Sequence, residues 1–335
     1  MKRPTIKDVA ARAGVSKSTV SNVVRGTGSV APETRARVEE AIHALGYRPN
    51  AAARNLVQQH TNLLGVVVGD LANAFNAELV KHLEQQASRH DYTTLVCNTD
   101  GNARLEAARI EALLEQRVDG IALLEFSSDR AVIAQLLAER VPVVMISCAA
   151  DYADYVAVDD YAGIALAVEH LVGLGHREIA HAVDVLGEPA MRRTRLDAFE
   201  RAMLRHGLAV RPDWVMGWDR DAAGERAVDA VFAGRSAPSA VVVANDFTAM
   251  RLIELLEARG RRVPDDVSVV GFDGIAIGAL SRLALTTVAQ PREELAELGM
   301  RILLARIAGG PEAPGQQRRV APRLVVRGST APPPG

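Results

Sequence analysis

The sequence predicts an all-α head, a short linker and an α/β body of two parallel-sheet lobes. Three observations carry this. The first 60 residues hold three helix-length stretches punctuated by glycines. From Thr61 onward, short apolar runs alternate with amphipathic stretches, the pattern of parallel sheets covered on both faces. At 335 residues the chain is too long for one ordinary core, so the body is expected to divide.

Charge divides the same way. Residues 1–60 carry ten basic side chains against four acidic ones, leaving the head at +6, and the net −2 of the chain then puts −8 on the rest. A basic head on an acidic body suits a polyanion partner. No apolar run is long enough to span a bilayer, and MKRPTIKDVAARAG lacks the apolar stretch of a secretory signal. Cys97 and Cys148 lie far apart at strand ends and are expected to be reduced thiols. A cytoplasmic protein without membrane contact is the expectation.

Within the head, Thr5 with Asp8 three residues later marks a helix start, and Ile6, Val9, Ala10 and Ala13 form its apolar stripe. Gly14 stops this helix. Ser16 caps a second, bearing Thr19, Val20, Val23 and Val24, which Gly26 ends. Pro32 opens a third at the first-turn position proline favours, with Val38, Ala41, Ile42 and Leu45 buried. Helix, short glycine turn, helix is the geometry that lays a second helix into the DNA major groove. Lys17, Ser18 and Asn22 on its outer face are candidates for base edges: lysine donates to guanine, asparagine pairs with adenine, and serine is permissive. Ser16, Thr19, Ser21 and Arg25 suit phosphates, and Thr5 and Thr34 complete the candidate DNA-contacting set. A generic three-helix packing module is the competing reading of the motif alone.

In the linker, Pro49 pushes Arg48 toward an extended conformation. AAARNLVQQ (residues 51–59) favours helix in composition but is too short to be stable by itself. Such a segment orders only when something docks on it, which suits a switch.

Strands are expected at residues 63–69, 93–98, 120–125, 142–147, 155–159, 178–183, 239–245 and 267–273, with helices at 103–116, 161–174 and 190–206. Residues 285–291 read as a crossover, 293–307 as a helix returning to the first lobe, and 318–326 as a last strand of the second. Ligands of such sheets bind beyond the strand carboxyl ends. Asp70, Phe75, Asn98, Asp100, Ser147, Asp159, Asn245, Asp246 and Asp273 stand there, a carboxylate- and amide-rich set with one ring, as polyhydroxyl ligands need. Each could instead cap the helix that follows. No nucleotide, hydrolase or metalloprotease motif occurs, and His176 and His181 have poor metal spacing. Catalytic residues, metal and cofactor are therefore not expected, and the chain is read as a non-enzyme. A sugar-metabolising enzyme and an exported sugar receptor are the rival classes; the first lacks a catalytic constellation and the second would need no head.

TIKDVAARAGVSKSTVSNVVRG and VAPETRARVEEAIHALGYRPNAAARNL closely resemble the head of the lac repressor (LacI/GalR) family. VDDYAG, LGHREIAH, RLDAF, ANDFTA, VPDDVSVVGFDG and LTTVAQP resemble landmarks of its body. The resemblance implies a periplasmic-binding-protein-like body closing on an effector, operator double-stranded DNA as partner, and a homodimer, since one head covers half of a symmetric operator. It places Asp70, Phe75, Ser147, Arg195, Asn245 and Asp273 at the effector. In the hinge it makes Leu56 the wedge into the minor groove, with Asn50 and Ala53 on the same side. It divides the chain into a head (1–46), a hinge (47–60) and a body (61–330). The N-lobe is expected at about 61–159 and 291–317, and the C-lobe at about 160–288 and 318–328. Several positions depart from the family: Asn22 for a common arginine, Ala31 for the serine cap of the third helix, Ala198 and Arg251 for glycines, Gly274 for an aspartate, and Asp219 for an aromatic. A neutral sugar, a sugar acid, a sugar phosphate and a nucleobase all fit what remains.

Overall fold

A computed structural model describes residues 4–47, 60–124, 130–150, 152–184, 189–218, 222–233, 237–309 and 315–334. The chain forms two compact units, Met1–Thr61 and Asn62–Gly335. Asn50, Ala53, Leu56 and Asp219 lie outside the described residues.

Among its described residues the first unit holds three helices, α1 (Ile6–Ala13), α2 (Lys17–Arg25) and α3 (Pro32–Leu45). The Asp8 carboxylate accepts from both the Thr5 amide and the Thr5 hydroxyl, each at 2.7 Å. Gly14 ends α1 at φ +66°, a conformation that costs glycine little and other residues about 1–2 kcal/mol. Ser16 Oγ caps α2 by accepting the Thr19 amide at 3.1 Å. At the start of α3 Ala31 supplies no side-chain cap, which should cost about 1 kcal/mol relative to serine. Val9, Val20 and Val38, one from each helix, have no exposed surface and centre the small core. Each contributes about 1.5–3 kcal/mol by burial.

The second unit holds two six-stranded sheets. One runs β11-β5-β4-β3-β1-β2 and the other β12-β10-β9-β8-β6-β7. The N-lobe comprises β1 (Leu63–Val68), α4 (Ala74–Arg89), β2 (Thr93–Asn98), α5 (Ala103–Glu115), β3 (Gly120–Leu124), α6 (Arg130–Ala138), β4 (Val143–Ile146) and β5 (Tyr155–Val158). The C-lobe follows with α7 (Asp160–Leu174), β6 (Ile179–Asp184), α8 (Pro189–Arg205), β7 (Val215–Trp218), α9 (Ala222–Phe232), β8 (Ala240–Val243), α10 (Asp246–Ala258), β9 (Ser268–Asp273) and β10 (Thr286–Ala289). Then α11 (Arg292–Gly309) and β11 (Gln317–Val320) return to the N-lobe, and β12 (Arg323–Val325) to the C-lobe. Pairing is parallel throughout except that β12 runs antiparallel to β10. Inner strands such as β3 are buried at every residue, whereas edge strand β2 has no fully buried residue.

Three expectations need correction. Residues 318–326 are not one C-lobe strand: Gln317–Val320 pairs with β5, and only Arg323–Val325 pairs with β10. Pro322, which cannot donate to a ladder, stands at the break. The expected crossover at 285–291 is largely strand β10, and the crossing follows it. Strand β7 is absent from the expected set, because Val-Met-Gly-Trp carries no β-branched alternation. The proline-rich end is also built into the C-lobe. Ser329 Oγ donates to the Val269 carbonyl at 2.6 Å and accepts the Thr286 amide at 2.8 Å. His176 Nε2 donates to the Ala331 carbonyl at 2.8 Å.

His181 on β6 has no exposed surface. Its Nδ1 donates to the Val242 carbonyl at 2.9 Å and its ring stacks on Phe199 at 4.8 Å. Burial, with the Arg195 charge adding to it, lowers its pKa to about 4. A histidine depressed below its unfolded value near 6.5 gives stability that is complete above that pH and lost as pH falls through 4. His181→Leu should therefore gain roughly 3 kcal/mol relative to the parent chain between pH 7 and pH 4, as urea unfolding at the two pH values would show. A pH-independent difference would mean that the fold leaves the His181 pKa at its unfolded value.

Candidate functional site

On the head, α2 presents Lys17 and Ser18 to solvent, with Thr19, Ser21 and Asn22 partly buried. Three hydroxyls at its start are already engaged with one another: Ser16 lies 2.7 Å from Ser18 and 2.8 Å from Thr19. Ser18 is thus tied into the cap, whereas Lys17, also exposed, is not one of these three hydroxyls. Asn22 lies against the following turn, where a Cβ on Gly28 would come within 3.1 Å of its amide nitrogen. Thr5 is exposed and Thr34 partly so, at the first turns of α1 and α3.

In the body, Asp70, Phe75 and Ser147 stand on N-lobe elements, and Arg195, Asn245 and Asp273 on C-lobe ones. Several have a local task. Asp70 Oδ1 accepts the Ala72 amide at 2.9 Å, Asn245 caps α10 by accepting the Thr248 amide at 2.8 Å, and Asp159 caps α7 through the Ala162 amide at 3.0 Å. Asn98 donates to Asp100 at 2.6 Å. Phe75 departs from its expected place as an open stacking ring; it is 2% exposed and packed in the core with Leu79 and Leu83. Ser147 is buried at φ +67°.

Arg195 is 6% exposed. Its Nε donates to Asp160 Oδ1 at 2.8 Å, its Nη1 donates to the Ala244 carbonyl, and its guanidinium carbon lies 4.0 Å above the Phe272 ring centre. A buried guanidinium needs this much compensation, and the contacts lock it beside the end of β8. Asp273 ends β9 at φ +116° and accepts Gln290 Nε2 at 2.7 Å. Gln290 is 4% exposed, and its Oε1 has no hydrogen-bond partner among the described residues. Beneath this turn Asp246 accepts the Thr287 hydroxyl at 2.6 Å and the Ile275 amide at 2.8 Å. Burial raises its pKa to about 6 against these hydrogen bonds.

Sequence reasoning missed Asp160, Phe272, Gln290 and Arg292. Asp160 and Phe272 adjoin candidate positions, and strand-end reasoning could have reached them. Gln290 and Arg292 follow a segment that reads as a crossover, which hides them. Among the described residues no group of three or more His, Cys, Asp or Glu could hold a metal ion, and no helix is long and apolar enough to cross a membrane.

Comparison with known proteins covers both units. Residues 5–50 match the family described as bacterial regulatory proteins, lacI family, and residues 168–330 a periplasmic binding protein-like domain. The transcriptional repressor PurR of Photobacterium profundum is 35% identical over 335 residues, covering 97% of this chain and 98% of that one. The lac repressor dimer bound to operator and the anti-inducer ONPF superposes with a TM-score of 0.87 at 28% identity, over 98% of this chain and all of that one. The transcriptional regulator CelR in complex with cellobiose gives 0.71 at 30% identity, also over 98% and all. A helix-turn-helix head, a two-lobed α/β body and full-length likeness to such regulators identify this chain as a DNA-binding transcriptional regulator of the lacI family.

Proposed function

We propose that the chain is a homodimeric repressor whose operator affinity is set by a small polar effector held between the two lobes. The observation that carries the effector reading is the buried Arg195–Asp160 pair beside Asn245, together with the turn of Asp273 and Gln290. A guanidinium fixed by a carboxylate, a carbonyl and a ring presents its N–H groups in a set direction. Gln290 Oε1 is a buried acceptor that a ligand hydroxyl or amine would satisfy. Paired acceptors and donors suit a polyhydroxyl compound, and CelR was solved with cellobiose. The effector-contacting set is Asp70, Ser147, Arg195, Asn245 and Asp273, with Gln290 added and Phe75 serving as core.

On DNA, Lys17, Ser18 and Asn22 read base edges. Thr5, Ser16, Thr19, Ser21, Arg25 and Thr34 engage the backbone, and Asn50, Ala53 and Leu56 belong to the hinge at the operator centre. An effector acts by its differential affinity for the DNA-competent and released states. The dimer is supported by large apolar side chains left exposed on the C-lobe, Phe247 (57%), Ile277 (48%) and Leu280 (58%), beside the likeness to a dimeric repressor.

Thermal-shift screening of the full chain with cellobiose, gluconate, glucose 6-phosphate and hypoxanthine, followed by titration of any hit into an operator complex, tests the effector reading and gives the sign of the response. Arg195→Ala should abolish the thermal response while ligand-free DNA affinity stays within about twofold; a normal response would move the site elsewhere. Lys17→Ala should lower discrimination between selected and random DNA by about 1–3 kcal/mol, whereas Arg25→Ala should weaken both alike and flatten the salt dependence. Identical losses for the two variants would count against the recognition-helix assignment. Leu280→Arg should shift the chain to monomer in sedimentation and weaken operator binding at least about tenfold, and an unchanged dimer would place the interface on another face.

A further inference from the structure

Glu78 of α4 and Arg292 at the start of α11 both belong to the N-lobe, yet they grip a C-lobe turn. Arg292 Nη1 donates to the Asp273 carbonyl at 2.7 Å and Nη2 to the Gly274 carbonyl at 3.0 Å. Its Nε donates to Glu78 Oε2 at 2.9 Å, and Glu78 Oε1 accepts the Ala276 amide at 3.3 Å. The two side chains are 30% and 18% exposed, glutamate first, so the contact is largely shielded from water. The turn they hold is the strained one. Asp273 sits at φ +116° and Gly274 at φ +72°, and a non-glycine residue keeps such a backbone only where its surroundings over-determine it. Gln290 fixes the Asp273 carboxylate, and Asp246 fixes the Ile275 amide. The two carbonyls between these anchors both accept from Arg292, and that of Asp273 also accepts the Gln290 amide at 3.2 Å. A planar guanidinium can serve two carbonyls and a carboxylate at once in a fixed fork, which a compact ammonium does not reproduce.

We propose that Glu78 and Arg292 are positioning residues for the effector site, holding the Asp273 turn in binding geometry and tying it to the N-lobe helices α4 and α11. This rests on the reading of the interlobe region as the effector site. When a ligand draws on the Asp273 carboxylate, the carbonyls behind it move against Arg292, and the displacement is delivered to two helices of the other lobe. The ion pair is the lesser part of the device; donation to the two carbonyls is what ties the turn to the N-lobe.

Hydrogen exchange at the Gly274, Ile275 and Ala276 amides of the full, ligand-free chain tests the latch without a ligand. Arg292→Met should speed exchange there at least about tenfold while the β8 and α10 amides keep their protection. Glu78→Gln, whose one acceptor oxygen can keep the Ala276 amide bond while its NH2 group gives up the ion pair with Arg292 Nε, should change it less than about threefold. The exchanged pair Glu78→Arg with Arg292→Glu should stay as fast as Arg292→Met, because a glutamate has nothing to donate to carbonyls. Native protection in Arg292→Met, or its restoration by the exchanged pair, overturns the proposal. Calorimetry with cellobiose, gluconate, glucose 6-phosphate and hypoxanthine separates the two readings. Whichever compound the parent chain binds should bind Arg292→Met at least about tenfold more weakly, and equal affinity overturns the positioning role. If the parent chain binds none of the four, the effector reading falls and exchange alone decides the latch.

Discussion

Asp246 has no exposed surface, and removing a carboxylate from water costs several kcal/mol unless hydrogen bonds replace the lost solvation. Those it receives come from two different elements, the Thr287 hydroxyl of β10 and the Ile275 amide just past β9. Because Asp246 begins α10, one side chain holds a helix start, a strand and a turn at fixed spacing. The fit leaves no slack: a Cβ on Gly271 would collide with Asp246 Oδ1. Asn245 caps the same helix one residue earlier, so its placement follows from the anchor below it. Asp273 and Gly274 lie between the anchored Ile275 and the strand β9, and they inherit the constraint. The placement of Asn245 and Asp273 thus follows from a buried carboxylate whose own hydrogen bonds run to the fold.

A second constraint couples the lobes. The chain passes between the two sheets after β5, after β10 and after β11, so each sheet is completed by residues from a distant part of the sequence. Asp154, beside β5, accepts from Arg306 of α11 and from the Gln316 amide at 2.6 Å, which pins the returning segment before it becomes β11. One apolar cluster includes Phe75 and Leu79 of the N-lobe with Phe199 and Phe272 of the C-lobe. Neither sheet is complete without the other lobe's part of the chain. A motion of one lobe against the other would have to turn about these crossings.

The head is legible almost residue for residue because its determinants are local. Caps, glycine stops and a 3.6-residue stripe lie within a turn or two of the elements they specify, and α1, α2 and α3 begin and end where those signals stand. Inner strands of the body are legible for a similar reason, since continuous burial on both faces leaves an unbroken apolar run. Partner choice is not. Whether residues 317–325 form one strand or two depends on which sheet edges lie nearby, and nothing within that segment records it. Phe75 is misread for a related reason: its residue type fits a stacking ring, and only tertiary packing assigns it to the core. Gln290 and Arg292 act through atoms that approach a turn from another part of the chain, a relation without a sequence period.

Gly274 shows why effector identity does not transfer from relatives by position alone. Where the family commonly has aspartate, this chain has a glycine at φ +72° whose added Cβ would meet Ala289 Cβ at 2.6 Å and Cα at 2.8 Å. No side chain fits there without displacing β10, so the turn runs closer to that strand than a residue with a Cβ would permit. That approach brings the Asp273 and Gly274 carbonyls within reach of Arg292 at the start of the next helix. With no carboxylate at Gly274 and a guanidinium behind the turn, the surroundings of Asp273 are less negative than an aspartate there would make them. The balance of charge near Asp273 is therefore set by this chain's own residues, Gly274 and Arg292 among them.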